Sequence, residues 1–155
     1  MAIEKWVAGS GQGLAWGNAF TGSTLNSIAS GNAIASDLTL TNASALDIFC
    51  DLSIQLGSAA FVSPNYIGVY LYPLNQDGST YGDGRFASSA AGPPANTYAV
   101  GSIGLVAATQ AQNGTLSRIV LPPGGFKFVL WNQGGVALNA SGNVCLYRTY
   151  NRSIV

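Results

Sequence analysis

Between Asp47 and Leu56 the chain alternates with period two: Ile48, Cys50, Leu52, Ile54 and Leu56 fall on one face, Asp47, Asp51, Ser53 and Gln55 on the other. Such a stretch buries one side cleanly only as a β-strand, because successive side chains of extended backbone point to opposite faces. Phe49 interrupts the polar face and reads as an edge or interface contact.

The same logic finds further strands. Tyr66 to Tyr72 sets Ile67, Val69 and Leu71 against Tyr66, Tyr70 and Tyr72 around Gly68, so both of its faces are expected to be covered or adhesive. Phe126 to Trp131 is apolar on both faces apart from Lys127. It lies between the turn sequences Pro122-Pro123-Gly124-Gly125 and Asn132-Gln133-Gly134-Gly135, as a central strand would. Val144 to Tyr150 alternates Cys145, Tyr147 and Thr149 with Val144, Leu146 and Arg148. Ile34 to Thr41 and Leu116 to Leu121 are further candidates, with weaker pieces near Trp6, Leu14 to Trp16, Tyr81 to Phe86 and Tyr98 to Val106. Ser23 to Ala35 and Val106 to Gln112 could form short helices, but neither carries a full amphipathic stripe. Abundant β-branched residues and glycine punctuation favour strands. Eight or more short strands predict an all-β fold, an antiparallel two-sheet sandwich of the jelly-roll type or a close relative.

At 155 residues the chain has the length of one domain, with an expected folded surface of about 7,300 Å². No composition break or linker divides it, so 1–155 reads as a single sandwich domain in which 1–13 forms an extended N-terminal arm. Six basic and six acidic residues make charge only 8% of the chain, against about 25% in an average domain. Zero net charge removes the repulsion that keeps proteins apart, so much of this surface is expected to be covered in use. Six scattered bases do not make the basic patch that a phosphate backbone requires, which argues against nucleic acid. The longest apolar stretches, such as Ile103 to Ala108, fall far short of the roughly 20 residues that span a bilayer, which argues against a membrane. Met1 to Trp6 lacks the apolar core of a secretory signal, so a soluble chain made in a cytoplasm is expected.

Chemistry is scarce. Without histidine there is no Ser-His-Asp or Cys-His arrangement and no histidine general base. Asp47 and Asp51 share a strand face, but at about 13 Å apart they exceed either glycosidase spacing. Asp77 and Asp83, in Asn75 to Gly84, form the one segment with clustered oxygen ligands and are a weak calcium candidate. The segment lacks the alternating acids of a calcium loop, and Asp-Gly pairs are ordinary turn chemistry. No cofactor is expected. Cys50 and Cys145 lack metal-site spacing and, with no oxidising compartment indicated, read as buried free thiols. The Asn-x-Ser/Thr matches at Asn42, Asn113, Asn139 and Asn151 are expected by chance in so polar a chain.

Aromatic residues carry the remaining signal. Tyr66, Tyr70, Tyr72, Tyr81 and Trp131 suggest either a protein interface, where Tyr and Trp are enriched, or a flat platform for sugar rings. Arg85, Arg118, Arg148 and Arg152 are too sparse in sequence to predict a groove. The tail Tyr147 to Arg152 is expected to dock on a neighbour or to fray.

The stretch Ser63 to Gly78, the turn Leu121 to Phe126 and the tail Tyr147 to Arg152 resemble small virion proteins of tailed bacteriophages, and among these the jelly-roll decoration, or cement, proteins of phage heads. The likeness is diffuse and rests on no short motif. It implies a non-enzymatic structural protein on the capsid surface, made in the host bacterial cytoplasm. Its partners would be the major capsid protein and further copies of itself. The expected contact residues are Trp6, Tyr66, Tyr70, Tyr72, Trp131, Tyr150 and Arg152, with Trp6 as the anchor of the N-terminal arm. The alternative is a carbohydrate- or receptor-binding module of a tail or fibre.

Overall fold

The computed structural model of the chain describes residues 4–9, 14–62, 65–84 and 89–154. Two antiparallel sheets pack face to face. The strands are β1 (Glu4–Ala8), β2 (Gly17–Asn18), β3 (Asn32–Ala35), β4 (Leu40–Thr41), β5 (Phe49–Ala60), β6 (Tyr66–Pro73), β7 (Ala90–Ala91), β8 (Ala99–Gly104), β9 (Thr109–Val120), β10 (Gly125–Gln133) and β11 (Val144–Ile154). One sheet runs β1-β11-β5-β9 with β2 also on β11; the other runs β7-β3-β10-β6-β8 with β4 also on β10.

This order is that of a rolled-up ribbon. With the two-residue pieces set aside, eight strands remain, and the first pairs with the last (β1 with β11), the second with the seventh (β3 with β10), the third with the sixth (β5 with β9) and the fourth with the fifth (β6 with β8). Nested pairing of this kind, split over two sheets, is the jelly-roll topology. The short pieces extend it: Gly17–Asn18 continues the β1 ladder along β11, and Leu40–Thr41 continues β3 along β10.

The core lies between the sheets. Cys50, Leu52, Ile54, Leu56, Ile119, Cys145 and Tyr147 on one side meet Ile67, Val69, Leu71, Ile103, Phe126, Phe128 and Leu130 on the other. These are the residues that period-two alternation places inward. Ile48 departs from that expectation: it is 47% exposed, while Asp47 is buried. Strand parity stops at Phe49 because Asn42 ties the preceding loop, accepting from Asp47 N–H at 2.8 Å and donating to the Asp47 and Pro122 carbonyls at 2.8 and 3.0 Å. Among the described residues no helix is long and apolar enough to cross a membrane.

Other expectations shift in detail. Ile34 to Thr41 is broken at Ser36, whose N–H still reaches the Phe128 carbonyl at 2.7 Å. Beyond it, the Asp37 carboxylate turns to Thr21, accepting from the Thr21 N–H at 3.0 Å and from its hydroxyl. Neither short helix forms: residues 23–27 are turns, and Val106 to Gln112 leads into β9. Leu14 and Ala15 lie in a turn and bend before β2, and Tyr81 makes an isolated bridge to Leu74. The tail Tyr147 to Arg152 neither projects nor frays: it is the middle of β11, paired with β5 as far as Tyr150 and with β1 from Tyr150 onward. Within the expected N-terminal arm, residues 4–8 are strand β1 on their own chain, and 1–3 and 10–13 lie outside the described residues.

Candidate functional site

The second sheet has a small core on its outer side. The connection from β6 to β8 folds over Tyr70, Tyr72, Val129, Ala33 and Ala35, bringing Tyr81, Ala90 and Tyr98 against them. Tyr72 is 2% exposed. Its ring centroid lies 4.5 Å from that of Tyr98, and its hydroxyl donates to Asp83 Oδ2 at 3.3 Å and accepts from Ala95 N–H at 3.2 Å. Burial of Tyr70 likewise pushes its phenol above the ordinary value, with Tyr66 adding to the shift. Of the five aromatics that suggested an interface or a platform, Tyr70 and Tyr72 are thus covered by their own chain. Tyr66 and Trp131 remain half-buried as an edge-to-face pair 6.1 Å apart, with the Trp131 indole N–H on the Gly31 carbonyl at 3.1 Å.

The acidic loop is spent on its own turn. Asp77 Oδ1 accepts from the Ser79 and Thr80 N–H groups at 2.8 Å each, and Oδ2 accepts from the Thr80 hydroxyl at 2.5 Å. These bonds hold the carboxyl down at about 2, the Thr80 hydroxyl contributing most. Asp77 and Asp83 do not converge with a third ligand, and among the described residues no three His, Cys, Asp or Glu side chains gather to hold a metal. Asp77 thus caps its own turn.

The outer face of the first sheet is different. β1–β11 register sets Trp6 opposite Arg152, and the next outward row runs Ala8, Tyr150, Phe49, Val120 across four strands. Trp6 packs edge-on against Tyr150 at 5.3 Å and Phe49 at 5.9 Å, and the Phe49 and Tyr150 rings stack at 5.9 Å. Arg152 sits over Trp6 at 5.9 Å and Arg148 over Trp16 at 4.7 Å, distances at which a guanidinium is attracted by the face of a ring. Trp6 remains 57% exposed, Leu14 59% and Val120 65%.

Beneath this layer Asp51 organises the charges. Its Oδ2 accepts from Arg148 Nε at 3.0 Å and Nη2 at 2.9 Å, and Oδ1 accepts from the Tyr150 hydroxyl at 2.9 Å and the Arg118 N–H at 3.2 Å. Burial alone would raise the Asp51 carboxyl, but the bonds from Arg148, Tyr150 and Arg118 outweigh it and hold it below the ordinary value. The same burial, with the bond to Asp51, pushes the Tyr150 phenol up to about 12. Arg118 reaches Asp51 through a bulge: the β5–β9 register slips between Cys50 and Leu52, and Arg118 takes φ +61°. A non-glycine residue there costs about 1–2 kcal/mol, which the hydrogen bond to a buried carboxylate offsets.

Two open clefts flank Trp6. One, of about 480 Å³, is lined by Lys5, Trp6, Phe49, Arg118 and Arg152; the other, of about 450 Å³, has Trp6, Leu14, Tyr150 and the Arg148–Asp51 pair in its walls. Lys5, Arg118, Arg148 and Arg152, four of the chain's six bases, thus meet on one face. The basic residues expected to be scattered, and the arginines judged too sparse for a groove, are gathered by the fold; Arg85 lies outside the described residues. Of the seven expected contact residues, Trp6, Tyr150 and Arg152 come together here. Tyr66, Tyr70, Tyr72 and Trp131 belong to the other sheet. Phe49, which its break in the alternation marked as an edge or interface contact, joins Trp6, Tyr150 and Arg152, and Leu14, Trp16 and Arg118 are the members that sequence reasoning did not single out as contacts. Comparison with protein-family models, with curated proteins and with solved structures returns no significant match.

Proposed function

We propose that the protein is a non-enzymatic structural component of a phage virion that binds the outside of the capsid and stabilises contacts between major capsid subunits. The supporting observation is the outer face of the first sheet. Trp6, Leu14, Trp16 and Val120 are all substantially exposed there, in a chain whose charged residues are only 8% of the total. Exposed apolar side chains gathered with four bases on one face of an otherwise weakly charged surface suit a protein that works while covered by other proteins. Many copies bound side by side on a capsid need only modest contacts each, because their effects multiply. The partners on this reading are the major capsid protein and sister copies.

Jelly rolls serve both capsid and lectin domains, so the fold alone favours neither reading. The carbohydrate-binding alternative drew on the Tyr-rich strand and the Asp77 to Asp83 loop; Tyr70 and Tyr72 of that set are buried, while Tyr66, Tyr81 and Trp131 are half-buried. Virions assembled without the protein should release their DNA at a lower temperature than complete ones. Cryo-electron microscopy of the particle should show the chain on the head exterior, and a head without density for it overturns the proposal.

A further inference from the structure

We propose that the outer edge of β9 joins two copies of the chain, β9 pairing antiparallel with its counterpart across a two-fold axis at Asn113. Among the described residues β9 is the longest edge strand, with twelve residues, and it pairs on one side only, with β5. The other edges are β1 with five residues, Glu4 and Lys5 among them, β7 with two and β8 with six. A long edge presents a row of unpaired N–H and C=O groups, and proteins that must stay apart interrupt it with charge, proline or a bulge. Thr109 to Leu116 carries neither charge nor proline, and the bulge in β9 comes only beyond it, at Arg118.

The neutrality of this stretch favours a copy of the chain over a different partner. In a two-fold contact each residue beside the axis meets its own kind, so a charge there would face a like charge. Ala111, Asn113 and Thr115 are exposed on the outer face, while Gln112, Gly114 and Leu116 turn toward the core. With the axis at Asn113, that residue faces the partner's Asn113, and an amide both donates and accepts; Thr115 faces the partner's Ala111. Arg118 and its counterpart then stand ten positions apart, about 34 Å, several times the Debye length of about 8 Å. Val106 supplies apolar surface next to the edge: it is 62% exposed, and the Gln112 side chain fixes it there, accepting from its N–H and donating to its carbonyl at 2.6 Å each. β8, which packs beside β9 so closely that a side chain at Gly114 would meet Ile103, is also without charge.

The pairing extends the first sheet to eight strands, four from each copy. Its axis is perpendicular to the sheet, so both Trp6 faces lie on the same side, at opposite ends. The pairing itself stands on the strand alone; its use, two adhesive faces that bind as one unit, rests on the proposed function.

Sedimentation equilibrium of the full chain over a wide concentration range tests the pairing, and a reversible dimer is expected. Asn113→Lys and Asn113→Glu, at an exposed position, should each leave Tm unchanged and weaken the dimer about tenfold or more. An equimolar mixture of the two variants should restore it, because opposite charges then face each other across the axis. In the wild type, hydrogen exchange at the amides of residues 110–116 should slow as concentration rises, a readout that needs no variant. The proposal is overturned if the chain stays monomeric at every concentration, if Asn113→Lys leaves the dimer intact, or if mixing the variants restores nothing. A β9 dimer combined with an undecorated head would remove the virion reading and leave this one standing; a chain that is monomeric in solution yet present on the head would do the reverse.

Discussion

Replacing Asp51 by Asn tests whether the cationic face is organised from beneath. The substitution keeps the side chain's shape but turns one acceptor oxygen into a donor and removes the charge. In the native protein that carboxylate is buried and takes four hydrogen bonds, two from Arg148, one from Tyr150 and one from the Arg118 N–H. Hydrogen bonds to a charged group contribute about 1.5–3 kcal/mol each, but Asn retains part of the set. Arg148 is 35% exposed, so water compensates much of what it loses. A loss of about 2–3 kcal/mol is expected, below the roughly 3–5 kcal/mol for breaking a fully buried pair because Arg148 is partly exposed. For a domain of this length that corresponds to a fall in Tm of about 4–12 °C, readable by scanning calorimetry at neutral pH.

The pH dependence gives a second reading of the same variant. Asp51 has a folded-state pKa below its unfolded value of about 3.9. Its contribution is therefore fully present above pH about 4 and is lost as the pH falls through the folded-state value. The gap between wild type and Asp51→Asn should be constant from pH 7 down to about 5 and close below about 4. Asp37 and Asp77 are also depressed, but they titrate alike in both proteins and cancel in the difference. A Tm change under about 1 °C, or a gap as wide in acid as at neutral pH, would refute the assignment of Asp51 as the organiser.

Two other perturbations probe the rest of the fold. Asn132 is buried, donates to the Ile28 and Val136 carbonyls at 2.9 and 2.8 Å and accepts from Gly134 N–H at 2.9 Å; Asn132→Ala strands these groups and should cost about 2–4 kcal/mol in urea unfolding. Cys50 and Cys145 are both buried and unpaired, and burial pushes both thiols well above their ordinary range. A thiol-specific chromogenic disulfide at pH 8 should label neither in the native protein and both after denaturation; rapid native labelling would show that the core opens.

The inter-sheet core was readable because it obeys a rule of spacing. Cys50 to Leu56 and Ile67 to Leu71 had to face inward once extended, and the turn sequences around Phe126 to Trp131 marked β10 as central. Where that rule met local hydrogen bonding, it gave way, as at Ile48 beyond the Asn42-tied loop and at the break after Ser36. Tyr70 and Tyr72 alternate as a surface platform would, and nothing local to them shows that the β6–β8 connection lies across them. Burial there is decided by a segment some ten to twenty-five residues further on, around Tyr81, Ala90 and Tyr98. The two cysteines sit four residues out of register, with Thr149 opposite Cys50 and Cys145 opposite Ile54. That is about 13 Å along the strands, beyond the reach of a disulfide.

The charged face was the least legible feature, for a topological reason. Lys5 and Trp6 stand near one end of the chain, Arg148 to Arg152 near the other, and Asp51 and Arg118 far from both. Counted along the sequence they are isolated, and isolation was the ground for discounting them. A jelly roll pairs its first strand with its last and its third with its sixth, and in this chain those pairs share one sheet. The closure that completes the fold is thus the step that sets Trp6 against Arg152 and brings Arg118 to Asp51. A chain with twelve charges gains little long-range field from them when they are dispersed, but four bases gathered on one face raise the positive charge density there. Scarcity elsewhere on the surface makes this face electrostatically distinct, so the missing charge and the clustered charge describe one arrangement.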